Sequence, residues 1–480
     1  MFDTVAQAWD AFWAIPHIRA YLTVAWVGYL AGLGVWIVLQ KREPAATLSW
    51  LLGLAALPFI GFVIYHVFGP HRIERHRLRR ARSRVGLPGA DAGADAEAAE
   101  LGRLVQATTG LPATTAHGVH LLVDGAAKYD ALIEAIGKAR YHVHLEYYIY
   151  AADHSGRAVR DALVERARAG VAVRLLLDAV GCAKLPRRFF ADLIDAGGEL
   201  CWFHPMRLGQ FWKRPWLNLR THRKIVVIDG VVGFAGGINI TDEENERVRP
   251  DAYRDLHLRL EGDAVRSLQL VFVEDWAYAT GSREFIGSIA RAMPPAHPGP
   301  VSSQVIISGP DSDREAIHRA HVGAIHAARK RVWLVTPYFV PGEAAMMALT
   351  SAAFGGVDVR LLVPRLSDSR LVTHAARSYY GALLDAGVKV YEYGPRMLHT
   401  KAMLVDDDLA LIGSANFDHR SFRLNFEICL MFRDAGVADD LARLIEGEFA
   451  CAPRVRADRQ QRLFRERLPE AFARLLSPLL

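Results

Sequence analysis

A chain of 480 residues is long enough for two or three packed domains, and an apolar fraction of 51% is high for a fully soluble enzyme. The four cysteines, Cys182, Cys201, Cys429 and Cys451, show neither CxxC pairing nor zinc-type spacing, which argues against a disulfide framework and for small buried residues in a reducing compartment. The net charge of +6 is local: the seven arginines and one glutamate between His71 and Arg84 give 7 − 1 = 6, so the rest of the chain is near neutral.

No charged side chain occurs from Ala20 to Leu39, a stretch flanked by Arg19 and Lys41. Twenty helical residues span about 30 Å, the depth of a bilayer core. A second uncharged run extends from Ala45 to Gly69, after the turn Lys41-Arg42-Glu43-Pro44, where proline suits the first position of a helix. The pattern predicts an N-terminal transmembrane helical hairpin over residues 1–69, with spans at about 20–40 and 45–68. The arginine run that follows places residues 70–480 on the cytoplasmic side of the membrane by the positive-inside rule. Anionic lipid then suffices as the partner of these arginines, and nucleic acid is not needed. Residues 70–117 read as a basic juxtamembrane segment and linker, with the Ala-, Gly- and Asp-rich stretch 86–100 as a flexible tether.

The remainder contains itself twice. Ala139-Arg140 precedes an apolar strand ending at Glu146-Tyr147-Tyr148, and Ala328-Arg329 precedes one ending at Thr336-Pro337-Tyr338. Gly170-Val171-Ala172-Val173-Arg174-Leu175 is matched by Gly356-Val357-Asp358-Val359-Arg360-Leu361, and Asp195-Ala196-Gly197 by Asp385-Ala386-Gly387. Apolar strands alternating with amphipathic helices predict two repeated α/β sandwich lobes, residues 118–292 and 301–480, joined by the Pro-rich linker 293–300. From Ala-Gly to the next histidine takes 222 − 197 = 25 residues in the first copy and 399 − 387 = 12 in the second. The extra segment holds Arg207, Phe211, Trp212, Lys213, Arg214 and Trp216, a mixture suited to lipid headgroups or to a plain surface loop.

Each copy then reaches H-x-K-x4-D: His222, Lys224 and Asp229, then His399, Lys401 and Asp406. Residues i and i+2 of a strand share a face, so imidazole and ammonium converge, and two such pairs suit phosphoryl transfer between alcohols. One neutral histidine attacks phosphorus, the other serves as acid and then base, and the lysines neutralise the non-bridging oxygens. Asp229 and Asp406 close their strands and are expected to fix the architecture by hydrogen bonds. Asn239 and Asn416 each lie 17 residues past their histidine (239 − 222, 416 − 399), behind small-residue turns, and their amides suit phosphate. Asp255 and Glu427 lie 33 residues after His222 and 28 after His399, and a carboxylate on Nδ1 would fix an imidazole tautomer.

These motifs resemble those of the phospholipase D superfamily. Arg42-Glu43-Pro44 before Thr47-Leu48-Ser49-Trp50, the triplet Tyr253-Arg254-Asp255, the run Gly413 to Phe422 (GSANFDHRSF) and the C-terminal LLSPLL make residues 20–480 similar to the bacterial cardiolipin synthases. The resemblance implies two phospholipase D-like lobes sharing one active site, and a phosphatidyltransferase that converts two phosphatidylglycerols to cardiolipin and glycerol through a phosphohistidine. It implies no cofactor and no metal, and it weakly favours His222 as nucleophile. One departure is Gly237, which stands where the second copy has Ser414. A hydrolase releasing phosphatidic acid, or a transferase using another alcohol, would use the same residues. A nuclease needs a basic groove in the catalytic region, whereas the basic excess here is juxtamembrane, and a non-catalytic scaffold would not need both motifs intact.

His142, His144 and Glu146 share a strand face like a metal site, but nothing completes a ligand set, so a structural or site-lining role is expected. His374 is isolated and is assigned no role. Arg454 to Arg474 reads as an amphipathic basic helix that either packs on the second lobe or touches the membrane. Oligomeric state is not legible.

Overall fold

The computed structural model describes residues 16–39, 44–69, 96–205, 218–282, 285, 289, 295–312, 314–456, 464–475 and 477. The arginine run, the aromatic and cationic segment 207–216 and residues 293 and 294 of the 293–300 linker lie outside the described residues. The chain forms two compact units, Met1–Pro70 and His71–Leu480.

In the first unit, the helix Ile18–Leu39 is the one described helix long and apolar enough to cross a membrane. The expected second span is divided into helices Pro44–Ala56 and Pro58–Phe68. Pro58 has no backbone N–H for the i−4 ladder, and Leu57 leaves helical geometry at φ −133°, ψ 67°. The pieces have 13 and 11 residues, about 20 and 17 Å at 1.5 Å per residue, so neither alone spans a bilayer core. They still fold back on the long helix. Ile37, Leu54 and Tyr65 are buried together, Trp26 stacks on Phe59 with centroids 4.9 Å apart, and Trp50 meets Tyr65 edge-on at 5.2 Å.

The second unit contains seventeen described strands: β1 (Thr114–Ala116), β2 (Gly118–Val123), β3 (His142–Tyr147), β4 (Ala172–Asp178), β5 (Glu199–Phe203), β6 (Ile225–Ile228), β7 (Val232–Gly236), β8 (Leu256–Glu261), β9 (Val301–Ser308), β10 (Arg331–Val335), β11 (Phe339–Val340), β12 (Asp358–Pro364), β13 (Lys389–Tyr393), β14 (Ala402–Val405), β15 (Leu409–Gly413), β16 (Phe417–Asp418) and β17 (Glu427–Arg433). The first lobe orders its sheet β2-β8-β7-β6-β3-β4-β5, and the second β1-β9-β17-β15-β14-β10-β12-β13. Apart from β1 the two orders correspond strand for strand, with β3, β4 and β5 parallel like β10, β12 and β13. The repeat in the sequence is therefore a repeat in space.

Continuous apolar runs such as Ile225-Val226-Val227-Ile228 are buried on both faces, as both sides of each sheet are covered. The outer faces carry the lobes' own helices and cores. The inner faces share one core, in which Ile225, Val227 and Leu258 of the first lobe meet Leu404, Ile412 and Ile428 of the second. The helices Ala264–Thr280 and Ala435–Ala450 contribute Leu268 and Leu441 to it. The lobes thus pack face to face around a pseudo-two-fold relation.

The expected linker is partly built into the second lobe. Residues 96–100, assigned to the flexible tether, open the helix Ala96–Thr109, whose Leu101 and Val105 are buried in the second lobe's core. After it, β1 pairs antiparallel with β9. Apolar residues at i and i+4 give this segment a face to bury, which the surrounding Ala and Gly disguised.

Candidate active site

Both H-x-K motifs lie on extended chain just before an inner strand, His222 and Lys224 ahead of β6 and His399 and Lys401 ahead of β14. Each approach pairs with the opposite lobe. Thr221 bridges to Phe426 and Arg254 to Leu398, while the His222 N–H donates to Phe426 O at 2.8 Å and the His399 N–H to Arg254 O at 2.7 Å. These bridges bring the next residues, Glu427 and Asp255, against the histidines.

The resulting imidazole–carboxylate pairs cross between lobes. His222 Nδ1 lies 3.0 Å from Glu427, and His399 Nδ1 lies 2.6 Å from Asp255 Oδ2. Spacing alone set each carboxylate downstream of its own lobe's histidine, but the inter-lobe bridges exchange them. An ionised carboxylate only accepts, so Nδ1 donates in both pairs and Nε2 is the ring nitrogen left for chemistry. Lys224 Nζ donates to His222 O at 2.7 Å, and Lys401 Nζ to His399 O, so each motif folds its ammonium back under its own imidazole.

The electrostatics show one shared site. Burial, moderated by Glu427 and added to by Lys224 and Lys401, drives the His222 pKa down to about 4. Burial drives Lys224 down to about 7, with Lys401 of the other lobe pushing the same way, and burial also lowers Lys401. For Glu427 burial acts upward, but His222, Lys224 and the Ser414 hydroxyl hold the carboxyl net below its ordinary range. Asp255 is likewise held down, against burial, by Lys401 and His399.

Asp229 and Asp406 stand at the far ends of β6 and β14, roughly 16 Å from the lysines at 3.3 Å per strand residue. Asp229 accepts from the N–H groups of Arg140, Tyr141 and His142, each at 2.8 Å. Asp406 accepts from Arg329, Lys330 and Arg331. Both adopt left-handed backbone, φ 54° and 51°, which a short polar side chain tolerates. They clamp the hairpin to the start of the neighbouring strand.

Ser414 faces Glu427 rather than an open site, its hydroxyl donating to the carboxylate and accepting from Ile428 N at 3.0 Å. At the matching Gly237, an added Cβ would lie 2.2 Å from Asp255 Oδ1. The shorter aspartate brings its carboxylate close to the backbone, so glycine partners Asp255 and serine partners Glu427. Asn239, expected to present its amide to phosphate, joins Ile149 N (3.2 Å to Oδ1) to Glu244 (2.7 Å from Nδ2). Asn416 keeps a buried Oδ1 with no hydrogen-bond partner among the described residues.

Glu244 escaped the sequence reading. It is 2% exposed and also accepts from Asn239 N at 2.9 Å. Its counterpart Ser421 accepts from Asn416 N at 3.1 Å, and both lie five residues past their asparagine (244 − 239, 421 − 416), a repeat offset that could have revealed them. Lys128, fully buried and lowered to about 7 by burial, donates to Asn239 O at 3.1 Å. Tyr148 sits 4.9 Å from the His222 ring and Tyr253 5.5 Å from the His399 ring. Glu244, Asp255 and His399 bring ligand-type atoms within 4.8 Å of one another, and Lys401 Nζ lies 3.5 Å from Asp255 beside them.

His142 and His144 bond instead to Gln269, at 2.9 and 3.2 Å, while Glu146 accepts from the Thr221 hydroxyl. This is the structural role expected of them. All four cysteines are free.

The family model described as "Cardiolipin synthase, PLD-like domain" matches residues 132–253 and 322–449, one match on each lobe. A second model, "Phospholipase_D-nuclease N-terminal", matches residues 30–70. Cardiolipin synthase 1 of Bacillus anthracis is 36% identical to this chain, covering 96% of it and 94% of the relative. Cardiolipin synthase of Geobacillus kaustophilus is 39% identical, over 92% and 91%. Among solved structures, phosphatidylserine synthase of Haemophilus influenzae superposes with a TM-score of 0.59 at 16% identity, covering 79% of this chain and all of the other, a likeness of fold. Matched in both lobes, and aligned with these relatives over nearly its whole length, the chain belongs to the cardiolipin synthase family of phospholipase D-like proteins.

Proposed function

We propose that this protein is a cardiolipin synthase that moves a phosphatidyl group from one phosphatidylglycerol to another. The observation that carries the reading is the crossed pair of buried imidazole–carboxylate couples, backed by two lysines that act on both lobes' residues. His222, neutral at physiological pH, attacks phosphorus through Nε2, and the bond to the glycerol headgroup breaks. His399 gives a proton to the departing alkoxide, then takes one from the hydroxyl of the second lipid. That hydroxyl displaces His222 from phosphorus, releasing cardiolipin and a regenerated histidine. Lys224 and Lys401 face the non-bridging oxygens, and an arriving phosphodiester anion favours their charged forms. Glu427 stabilises the positive imidazole ring that forms on phosphorylation. Asp255 holds the acid–base histidine, while Asp229 and Asp406 act only through the hairpins they clamp.

The helix Ile18–Leu39 anchors the chain in the bacterial cytoplasmic membrane, the two shorter helices return within it, and the lobes stand on the cytoplasmic side among anionic lipids. The test is product analysis of the purified protein on phosphatidylglycerol vesicles, following lipids and released glycerol together. Equal amounts of cardiolipin and glycerol support the transferase. Phosphatidic acid as the main product overturns it in favour of a hydrolase with the same site.

A further inference from the structure

The helix Phe464–Leu475 leaves Leu468, Phe472 and Leu475 exposed at 55%, 62% and 77%. Steps of four and three residues set them on one stripe. The opposite side is docked. Ala473 is buried, the Arg474 guanidinium lies 4.8 Å from the Tyr379 ring centroid, and the Tyr379 hydroxyl bonds Ser477 Oγ at 3.2 Å. Packing therefore fixes the outward direction of the stripe.

This helix runs against the helix Arg370–Arg377, where Leu371 is exposed, and Leu366 is exposed in the loop before it. That loop borders the reaction centre. Its Asp368 accepts from Tyr338 OH at 2.8 Å and lies near Tyr253, whose ring faces His399. Five large apolar side chains thus follow an edge from the His399 side of the site to the C-terminal helix. Exposed Arg365, Arg370 and Arg467 accompany them, against Asp368 and the half-buried Glu470.

We propose that this edge is the surface by which the catalytic unit enters an anionic bilayer, the stripe sinking to the headgroup–acyl boundary and the arginines meeting lipid phosphates. The net positive charge complements an anionic surface, and an amphipathic helix flanked by long cations is the form that lies in a membrane interface. A lipid then reaches His399 without leaving the bilayer. The inference rests on the lipid substrate proposed above, but its first test requires no turnover.

The full chain carrying Cys451→Ser and Phe472→Cys, labelled with an environment-sensitive fluorophore, is reconstituted in vesicles of phosphatidylcholine and phosphatidylglycerol. The label is expected to shift to the blue and to lose at least half its emission to lipids spin-labelled high on the acyl chain. A label at Glu134→Cys, exposed on the first lobe, should stay water-like. A water-like label at 472, or one shielded but unquenched by lipid because protein covers it, overturns the proposal. In a second arm, Leu468→Ser/Phe472→Ser/Leu475→Ser should lower turnover of long-chain phosphatidylglycerol in vesicles at least ten-fold and leave monomeric short-chain substrate unaffected. Equal losses on both also overturn it. A wild type that makes no cardiolipin removes the proposed function and leaves the quenching result standing.

Discussion

Glu427→Gln separates the crossed site from one in which each lobe serves itself. The glutamate side chain is fully buried, 3.0 Å from His222 Nδ1, and also receives Ser414 Oγ and Asn425 Nδ2. Glutamine keeps the shape and removes the charge that opposes the positive ring formed on phosphorylation. A hydrogen bond to a charged group is worth about 1.5–3 kcal/mol, so kcat should fall roughly 10- to 150-fold at 25 °C. KM should change little, because Glu427 faces the imidazole and not the lipid. The assay is initial-rate cardiolipin formation in mixed micelles, with thermal unfolding of the same preparation to verify folding. A quench-trapped phosphatidyl-enzyme should also accumulate more slowly in the variant. A kcat within two-fold of wild type in a folded protein would refute the reasoning, as would a loss confined to KM.

His222 should also report through stability. Its pKa is about 4 when folded against 6.5 unfolded, so between these values the unfolded chain binds the extra proton and stability falls as pH drops. At pH 5 the cost is about 2 kcal/mol. His222→Asn should therefore gain about that much relative to wild type on going from pH 8 to pH 5, and equal denaturation differences at both pH values would contradict it. Asp406→Ala removes the acceptor of three backbone N–H groups and should cost about 2–3 kcal/mol in unfolding experiments. A large loss of kcat at unchanged stability would instead give Asp406 a direct chemical role. Gly237→Ala drives a methyl into Asp255 and should lower kcat more than ten-fold, whereas Ser414→Ala, losing one neutral donor, should lower it only a few-fold. The reverse order in a lipid assay would refute the pairing of glycine with aspartate and serine with glutamate. In His399→Ala, an alkaline quench, which spares the acid-labile P–N bond, should trap labelled phosphatidyl on His222, and label on any other residue would reverse the assignment of nucleophile.

Much of this was legible in the chain because it is local. Strand alternation sets His222 with Lys224 and His399 with Lys401 on common faces, and the order of apolar runs announces two lobes whose sheets correspond strand for strand. An uncharged run of twenty residues is already a membrane-length helix. Where the sequence misled, a single backbone fact intervened, as at Pro58, or a short apolar face found a distant partner, as Leu101 and Val105 did in the second lobe. Only the tertiary structure could decide which carboxylate serves which histidine. Glu427 and Asp255 are exchanged by bridges between segments some two hundred and one hundred and forty residues apart, and no spacing along one chain records that exchange. The same holds for Lys128, whose contact with Asn239 joins residues 111 positions apart. Periodicity encodes the faces of strands and helices, whereas the pairing of those faces depends on how two cores pack together.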